Sequence, residues 1–267
     1  MTGFLVAGAA LLGLACGSFL TVVTTRVPAG QSVVAPASRC PGCGHRLSPL
    51  ENIPLVAFFA LRGRCRVCGD RIPWRYPVLE AVTALVFVAI ALRLGAVWVL
   101  PAFGAYATTG IALSAIDLET RRIPHKVLFP GLGVAGALLG VGAVLDGDVP
   151  RLAWGLVGAV GSAGFLLLMD VAYGAVRKRT GIGMGDVKLM LLLGLFTGYV
   201  DPAAPVLGLV AGFLAGTVGG SVVMARRAPG SPAGPTAIPF GPFLVAGSLF
   251  AVLWGPALLD WYLGRAG

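Results

Sequence analysis

The chain alternates long apolar runs with short polar segments, and the polar segments carry nearly all of its charge. Runs of about 20 apolar residues are long enough to cross a bilayer as helices. Helices fit runs of this length because lipid cannot satisfy unpaired backbone groups. We therefore predict an all-α fold, a polytopic membrane bundle of about eight transmembrane helices. The predicted spans are 3–24, 77–95, 97–116, 127–145, 152–173, 187–201, 203–224 and 242–263.

The hydrophobic pattern, together with the motifs described below, predicts that the chain has three parts. Residues 1–25 form a first transmembrane helix, residues 26–76 a small loop domain that binds zinc, and residues 77–267 a transmembrane core that carries the chemistry. Within the core, Pro101 lies inside the third span, and the stretch from Arg226 to Pro239 has the composition of a flexible linker.

Composition supports a membrane protein. Of 267 residues, 57% are hydrophobic and 12% are charged, about half the charged share of soluble proteins. The 40 glycines suit close helix packing in lipid. A net charge of +9 would also fit nucleic-acid binding, but an excess of basic residues in cytoplasmic loops explains it. We therefore expect the lipid bilayer, and no nucleic acid, as a partner.

The distribution of lysine and arginine predicts the orientation. With the N-terminus outside, all but three of the 20 basic residues fall on the cytoplasmic side, the exceptions being Arg93, Arg151 and Arg265. The same arrangement places Asp117 and Asp186 on the cytoplasmic face.

The loop domain contains two cysteine pairs, Cys40 with Cys43 and Cys65 with Cys68, and a glycine follows each pair. Four thiolates at this spacing are typical of a tetrahedral zinc site that has no open position and a structural role. Two disulfides are the alternative, which a reducing cytoplasm disfavours. His45 is a possible substitute ligand, although a solvated loop histidine is the simpler interpretation.

Two aspartates are the candidate catalytic residues. Asp186 lies in Gly183-Met184-Gly185-Asp186-Val187-Lys188, before an apolar segment, and Asp117 ends another. The simpler interpretation of Asp186 is a helix cap after a glycine turn. Two carboxylates that share one proton can instead activate water against a peptide carbonyl without a nucleophilic side chain. Their shared depth and face predict that they meet.

For the other acidic residues we predict contact with water or an arginine rather than a catalytic role. We expect Glu80 and Asp170, near span ends, to reach interfacial water or an arginine, and Glu51 and Glu119 to be solvated.

Together these motifs resemble the type IV prepilin peptidase family, the GxGD-type aspartic leader peptidases and N-methyltransferases of bacterial type IV pilus and type II secretion systems. The matching segments are Gly17-Ser18-Phe19-Leu20, Asn52-Ile53-Pro54-Leu55, Leu61-Arg62-Gly63-Arg64-Cys65, Tyr76-Pro77 with Glu80, Asp117 with Ile123-Pro124, Gly183 to Lys188, and Pro239-Phe240-Gly241-Pro242-Phe243-Leu244.

The resemblance implies cleavage of the basic leader from prepilins and pseudopilins at the cytoplasmic face of the inner membrane. It implies Asp117 and Asp186 as the catalytic pair. It also implies zinc on Cys40, Cys43, Cys65 and Cys68. Many members then methylate the new N-terminus with S-adenosylmethionine. The chain has Thr21 and His125 where members often carry other residues, which leaves the methyl transfer and the usual substrate preference open.

Two alternatives remain open from sequence. One is a peptidase that lacks methyl transfer. The other, from a different class, is a transporter that uses the paired aspartates as a proton or cation site, although such sites usually lie near the membrane midplane.

Overall fold

The computed structural model describes residues 2–178, 181–225, 239–262 and 264, and across them it is helical without a β-strand. The all-α prediction is confirmed. Each predicted span coincides with a long helix. The helices are α1 (Thr2–Arg26), α3 (Arg75–Leu94), α4 (Leu100–Thr120), α5 (His125–Asp146), α6 (Val149–Arg177), α7 (Met184–Val200), α8 (Ala204–Ala225) and α9 (Gly241–Tyr262), with a short α2 (Val56–Ala60) in the loop.

Six of these helices, α1, α3, α5, α6, α8 and α9, combine the length and the hydropathy needed to cross a membrane. Their outward faces are apolar, as shown by Leu85 at 69%, Val160 at 68% and Leu214 at 63% exposed. Large apolar surface on so many helices suits lipid rather than water. The chain is therefore a multi-pass membrane protein.

The other two long helices, α4 and α7, are the more enclosed ones. In α7, 11 of 17 residues are buried, and in α4, 11 of 21, whereas α5 buries only five of 22. Helix α4 begins later than predicted, so Pro101 occupies its first turn rather than its interior. A first-turn position suits proline because the N–H that it lacks would have no partner there.

Contacts divide the chain into an N-terminal unit, Met1–Leu100, and a C-terminal unit, Pro101–Gly267. The three-part division made from sequence stays a prediction. The predicted linker lies almost wholly outside the described residues, as do Arg179 and Arg265.

In the N-terminal unit, α1 and α3 touch backbone to backbone. A Cβ atom added at Gly17 would lie 2.6 Å from the Cα of Glu80, and one at Gly13 would lie 2.7 Å from the Cα of Ala84. Glycines four residues apart give one helix a flat face, and such a face is a common contact between helices in lipid. The crossing brings Ser18 and Glu80 together beneath the loop.

In the C-terminal unit, α6 and α7 pack in the same manner, with Gly158 against Gly194. Helix α4 contacts α7 through aromatic rings instead. The Tyr106 and Phe196 rings stack at 4.7 Å, and Phe103 meets Phe196 edge-on at 5.0 Å. Edge-on and offset aromatic pairs of this kind are favourable beyond their buried area. This cluster joins the two helices that carry Asp117 and Asp186.

Candidate active site

Asp117 lies in the last turn of α4 and is 5% exposed. Its Oδ2 accepts a hydrogen bond from the backbone N–H of Gly241 over 3.1 Å. Gly241 is the first residue of α9, where backbone N–H groups lack helical partners and the helix dipole favours negative charge. The first turn of α9 therefore stabilises the Asp117 carboxylate through a free backbone N–H and the helix dipole.

The contact requires glycine at position 241. A Cβ atom there would lie 2.9 Å from Asp117 Oδ2 and 3.5 Å from Ile123 Cδ1. Any larger residue would push the carboxylate or the Ile123 side chain aside.

Asp186 lies in the first turn of α7, three residues after the cap residue Gly183. Its carboxylate receives a hydrogen bond from the backbone of Gly183, which is the reciprocal half of a capping box. The simpler interpretation of Asp186 as the cap residue itself is wrong by three positions, because the helix begins earlier than the apolar run.

Asp117 and Asp186 converge around Ile123. A Cβ atom at Gly185, next to Asp186, would lie 3.1 Å from the Cβ of Ile123, and the same side chain borders Gly241 beside Asp117. The two carboxyl groups lie within range of a direct electrostatic interaction. The C-terminal unit therefore joins the end of α4 to the starts of α7 and α9 at one place, with two carboxylates in it.

The four loop cysteines form a separate cluster in the N-terminal unit. All four sulfur atoms lie within 4.8 Å of one another, and Cys40 Sγ lies 3.7 Å from Cys68 Sγ while Cys43 Sγ lies 3.9 Å from Cys65 Sγ. These distances exceed a disulfide bond of about 2.05 Å, and none of the four is in a disulfide. They match the edges of a tetrahedron around a metal held by bonds of about 2.3 Å. The sulfurs can therefore hold a metal ion.

The two cysteine turns have the same backbone structure. Cys40 donates its N–H to His45 O and accepts from Gly44, while Cys65 donates to Asp70 O and accepts from Gly69. Gly44 and Gly69 have φ angles of +71° and +74°, a conformation that favours glycine. The glycine after each cysteine pair is thus explained by the turn that it closes.

Hydrogen bonds from the backbone of Cys68 and Val67 lower the pKa of the Cys65 thiol to about 6. The pKa of Cys68 is raised to about 12 despite a backbone hydrogen bond at Asp70, because burial and the neighbouring sulfurs oppose a second thiolate. Four thiolates this close together need a cation between them.

Family comparisons match both units. Residues 11–94 match the model of the Bacterial Peptidase A24 N-terminal domain, and residues 104–222 match that of the Type IV leader peptidase family. The prepilin leader peptidase/N-methyltransferase of Bacillus subtilis (strain 168) is 33% identical over 257 residues, which are 96% of this chain and 97% of that protein.

The protein of the same name from Aeromonas hydrophila is 34% identical over 281 residues, 95% of this chain and 92% of that protein. The chain belongs to the type IV leader peptidase family. The protein of that name from Pseudomonas aeruginosa is likewise 34% identical over 285 residues, with 96% and 93% covered. No solved structure matches the chain.

In this leader peptidase, Asp170 has a role that sequence reasoning missed. Contrary to the sequence interpretation, the Asp170 carboxylate contacts backbone N–H groups rather than interfacial water or an arginine. Its Oδ1 accepts hydrogen bonds from the backbone N–H groups of both Gly181 and Ile182, each over 2.9 Å. Asp170 lies in α6, so it ties the segment before Asp186 to the neighbouring helix. Gly181 also lies against the Tyr173 ring, which leaves no room for a Cβ atom. The two donors follow Asp170 by 11 and 12 positions, so no local sequence pattern indicates this contact.

We expect Asp170→Ala to lower kcat for prepilin cleavage about 10- to 100-fold, because a small displacement of a reacting group is costly. KM should change little, since Asp170 anchors backbone near Asp186. Asp170→Asn is the matched control: it keeps the accepting oxygen and should stay within a few-fold of wild type. Steady-state cleavage of a purified prepilin measures both constants. Alanine at wild-type kcat, or asparagine as impaired as alanine, would contradict this role.

Another loop residue, Glu51, also differs from expectation. The Glu51 side chain is not solvated: Oε2 accepts the Ser48 N–H at 2.9 Å and lies 3.3 Å from His45 Nε2. The Ser48 backbone and hydroxyl, with His45, lower the pKa of Glu51 to about 2. His45 therefore points to Glu51, and it is outside the four-sulfur cluster.

A basic pair borders the start of α7. Lys188 Nζ lies 3.2 Å from His125 Nε2, and because a lysine ammonium can only donate, the histidine nitrogen accepts this hydrogen bond. Both side chains face outward beside the segment that carries Asp186.

Proposed function

We propose that the protein is a membrane-embedded aspartic endopeptidase that removes the leader peptide from type IV prepilins or pseudopilins and then methylates the new N-terminus. The observation that carries the proposal is the convergence of Asp117 and Asp186 beside Ile123 and the start of α9. Membership of the type IV leader peptidase family supports the same reaction, and its named relatives are prepilin leader peptidase/N-methyltransferases.

Asp117 and Asp186 act as a pair that holds one proton. Two carboxylates a few ångströms apart cannot both ionise cheaply, so one remains protonated. The ionised member takes a proton from water, and the protonated member donates to the carbonyl oxygen of the scissile bond. Water then attacks the carbonyl carbon directly, and no acyl-enzyme forms. The pair titrates as a unit, so neither aspartate has a fixed role.

The surroundings of the pair suit this chemistry. The Gly241 N–H holds one carboxylate oxygen of Asp117, and the Gly183 backbone holds Asp186. One contact comes from the first residue of α9 and the other from the cap residue of α7, positions where backbone donors are free of helical partners. The carboxylates are therefore oriented before substrate arrives, which lowers the reorganisation needed in the reaction. Their position at helix ends also fits hydrolysis better than ion transport, whose sites usually lie near the midplane.

The cysteine cluster would hold a structural zinc ion. Four sulfur ligands leave no open coordination position, so the metal would stay outside the peptidase chemistry. Its contribution would be to the loop, which has too few residues to bury a large apolar core of its own.

We further propose that the protein lies in the cytoplasmic membrane with its N-terminus outside and the aspartates on the cytoplasmic side. The support is the distribution of basic residues along the sequence. Prepilins are the expected substrates because they carry a short basic leader on that side of the membrane.

Co-expression with a candidate prepilin, followed by mass spectrometry of the pilin N-terminus, tests the proposed function. We expect a shortened pilin whose N-terminus carries the mass of one added methyl group. A shortened pilin without that mass would assign peptidase activity alone. An unprocessed pilin, with the enzyme present in the membrane, would refute the peptidase.

A further inference from the structure

The connection from α4 to α5, residues 121–124, passes directly beside the two aspartates. It begins where Arg121 donates its backbone N–H to the carbonyl oxygen of Asp117 over 2.8 Å. Arg121 has a φ angle of +54°, a conformation that is strained for a residue with a side chain and that is found most often at functional sites. This strained turn ends α4 and leads the chain past the carboxylates.

The chain after this turn has free backbone groups. Ile123 precedes a proline, and a residue in that position is restricted to extended conformations. Pro124 is itself extended, with a φ angle of −71° and a ψ angle of +125°. Within the part of the chain that the structure describes, the N–H and C=O groups of Arg122 and Ile123 form no backbone hydrogen bond. Free groups on an extended chain are the ones that pair with an added strand.

The Ile123 side chain fills the space between the starts of α7 and α9. Its Cβ lies 3.1 Å from the position that a Cβ atom would take at Gly185, and its Cδ1 lies 3.5 Å from the same position at Gly241. Gly185 precedes Asp186, and Gly241 binds Asp117. Both helix starts therefore present bare backbone to one isoleucine. Ile123 is half-buried, and because a β-branched side chain has few rotamers, it forms a stiff wall at the site.

A scissile peptide bond needs what this segment offers. Hydrolysis requires a carbonyl group that water and the carboxylates can reach, and inside a helix that carbonyl is already hydrogen-bonded. A substrate that arrives as a helix must therefore unwind at the bond that is cut. Each backbone group released in this way is costly at a membrane boundary unless it finds a new partner. An extended segment with free donors and acceptors beside the carboxylates can supply those partners.

We propose that residues 122–123 are the docking strand on which the substrate backbone pairs during cleavage, and that Ile123 limits the size of the side chain next to the scissile bond. The inference rests on the proposed peptidase function. A substrate paired on this strand has its backbone beside the helix starts that hold Asp117 and Asp186. A residue with little or no side chain fits there, whereas a larger side chain collides with Ile123.

The first test measures selectivity rather than activity alone. A prepilin whose cleaved bond has been located by mass spectrometry is varied at the residues that flank this bond, one at a time, to glycine, alanine and leucine. We expect kcat/KM of the wild-type enzyme to fall about tenfold or more from glycine to leucine on one side of the bond, as for a misfit of a few methylene groups. For Ile123→Ala the same series should fall less than about threefold, because the missing side chain leaves room for the leucine.

Leu118→Ala is the matched control. It removes a side chain of the same size from the turn that carries Asp117, but Leu118 is 62% exposed, so the variant should keep the wild-type selectivity. Ile123→Val shortens the side chain by one methyl group and should give an intermediate selectivity, which tests the same wall with less effect on folding. Equal cleavage of all substrates by the wild-type enzyme, or wild-type selectivity in both Ile123 variants, would overturn the specificity role.

The docking strand has a measurement of its own that needs no enzyme variant. A prepilin with a photoreactive diazirine residue beside the cleaved bond is irradiated with the wild-type enzyme, and the labelled enzyme peptides are mapped. Label within residues 121–124 supports the docking strand, and its absence from that segment overturns it. Cleavage is followed in the same samples: an enzyme that cleaves without this label or selectivity refutes the inference alone, whereas an enzyme that cleaves no prepilin refutes the proposed function.

Discussion

Replacement of Asp117 or Asp186 with alanine is expected to lower prepilin cleavage by about a thousandfold or more. In the proposed mechanism each aspartate supplies one half of the proton transfer, and loss of a general acid or base costs about 10²–10⁴ in rate. In that mechanism the remaining carboxylate also loses the neighbour with which it would share a proton. Cleavage of a purified prepilin by enzyme in detergent or liposomes measures the effect.

Two further variants separate catalysis from folding. Glu119→Ala removes an exposed carboxylate from the same turn of α4, and it should cleave within about twofold of wild type, as for most surface substitutions. The double variant Asp117→Ala/Asp186→Ala should be about as inactive as either single variant, because groups that act as one unit are not additive. Substantial cleavage by either single alanine variant would remove these aspartates from the mechanism.

The second large effect is expected at the cysteine cluster. Cys65→Ser should abolish zinc binding and unfold the loop, because structural zinc contributes on the order of 10 kcal/mol in small domains. Elemental analysis of protein purified without chelator should find about one zinc per wild-type chain and almost none in the variant. Trypsin should then cut the arginine-rich loop much faster in the variant.

Cys16→Ser is the matched control, because Cys16 lies in α1 and outside the four-sulfur cluster. It should keep the wild-type zinc content and the wild-type rate of trypsin cleavage. Absence of zinc from the wild-type protein, or wild-type zinc content in Cys65→Ser, would refute the metal site. Retained cleavage by Cys65→Ser would agree with a metal that supports the loop and takes no part in the peptidase reaction.

The helices themselves follow from local pattern. Long apolar runs form helices because lipid leaves backbone groups no other partner, and every predicted span has its helix in the described part of the chain. The shifts are at helix ends. Helix α4 starts at Leu100 because Pro101 suits a first turn, and α7 starts at Met184 because the glycine segment joins the helix instead of preceding it.

The interpretations that failed concern single charged residues. Glu51, Glu80 and Asp170 were each expected at water or beside an arginine, and each instead accepts backbone N–H groups. Glu80 finds its donor 25 residues away and Asp170 finds its donors 11 and 12 residues away. Such partners depend on how helices and loops are packed, which no local pattern encodes.

The sequence alone determined a polytopic helical membrane protein, its two candidate aspartates and its four cysteines, because hydrophobic length and ligand spacing are properties of the chain itself. Only the tertiary structure decided that the start of α9 faces Asp117, that Asp170 anchors the segment before Asp186, and that Glu80 accepts the backbone N–H of Leu55. Those contacts join segments that are far apart along the chain, and they form only where close packing of glycine faces and aromatic rings brings the helix ends together.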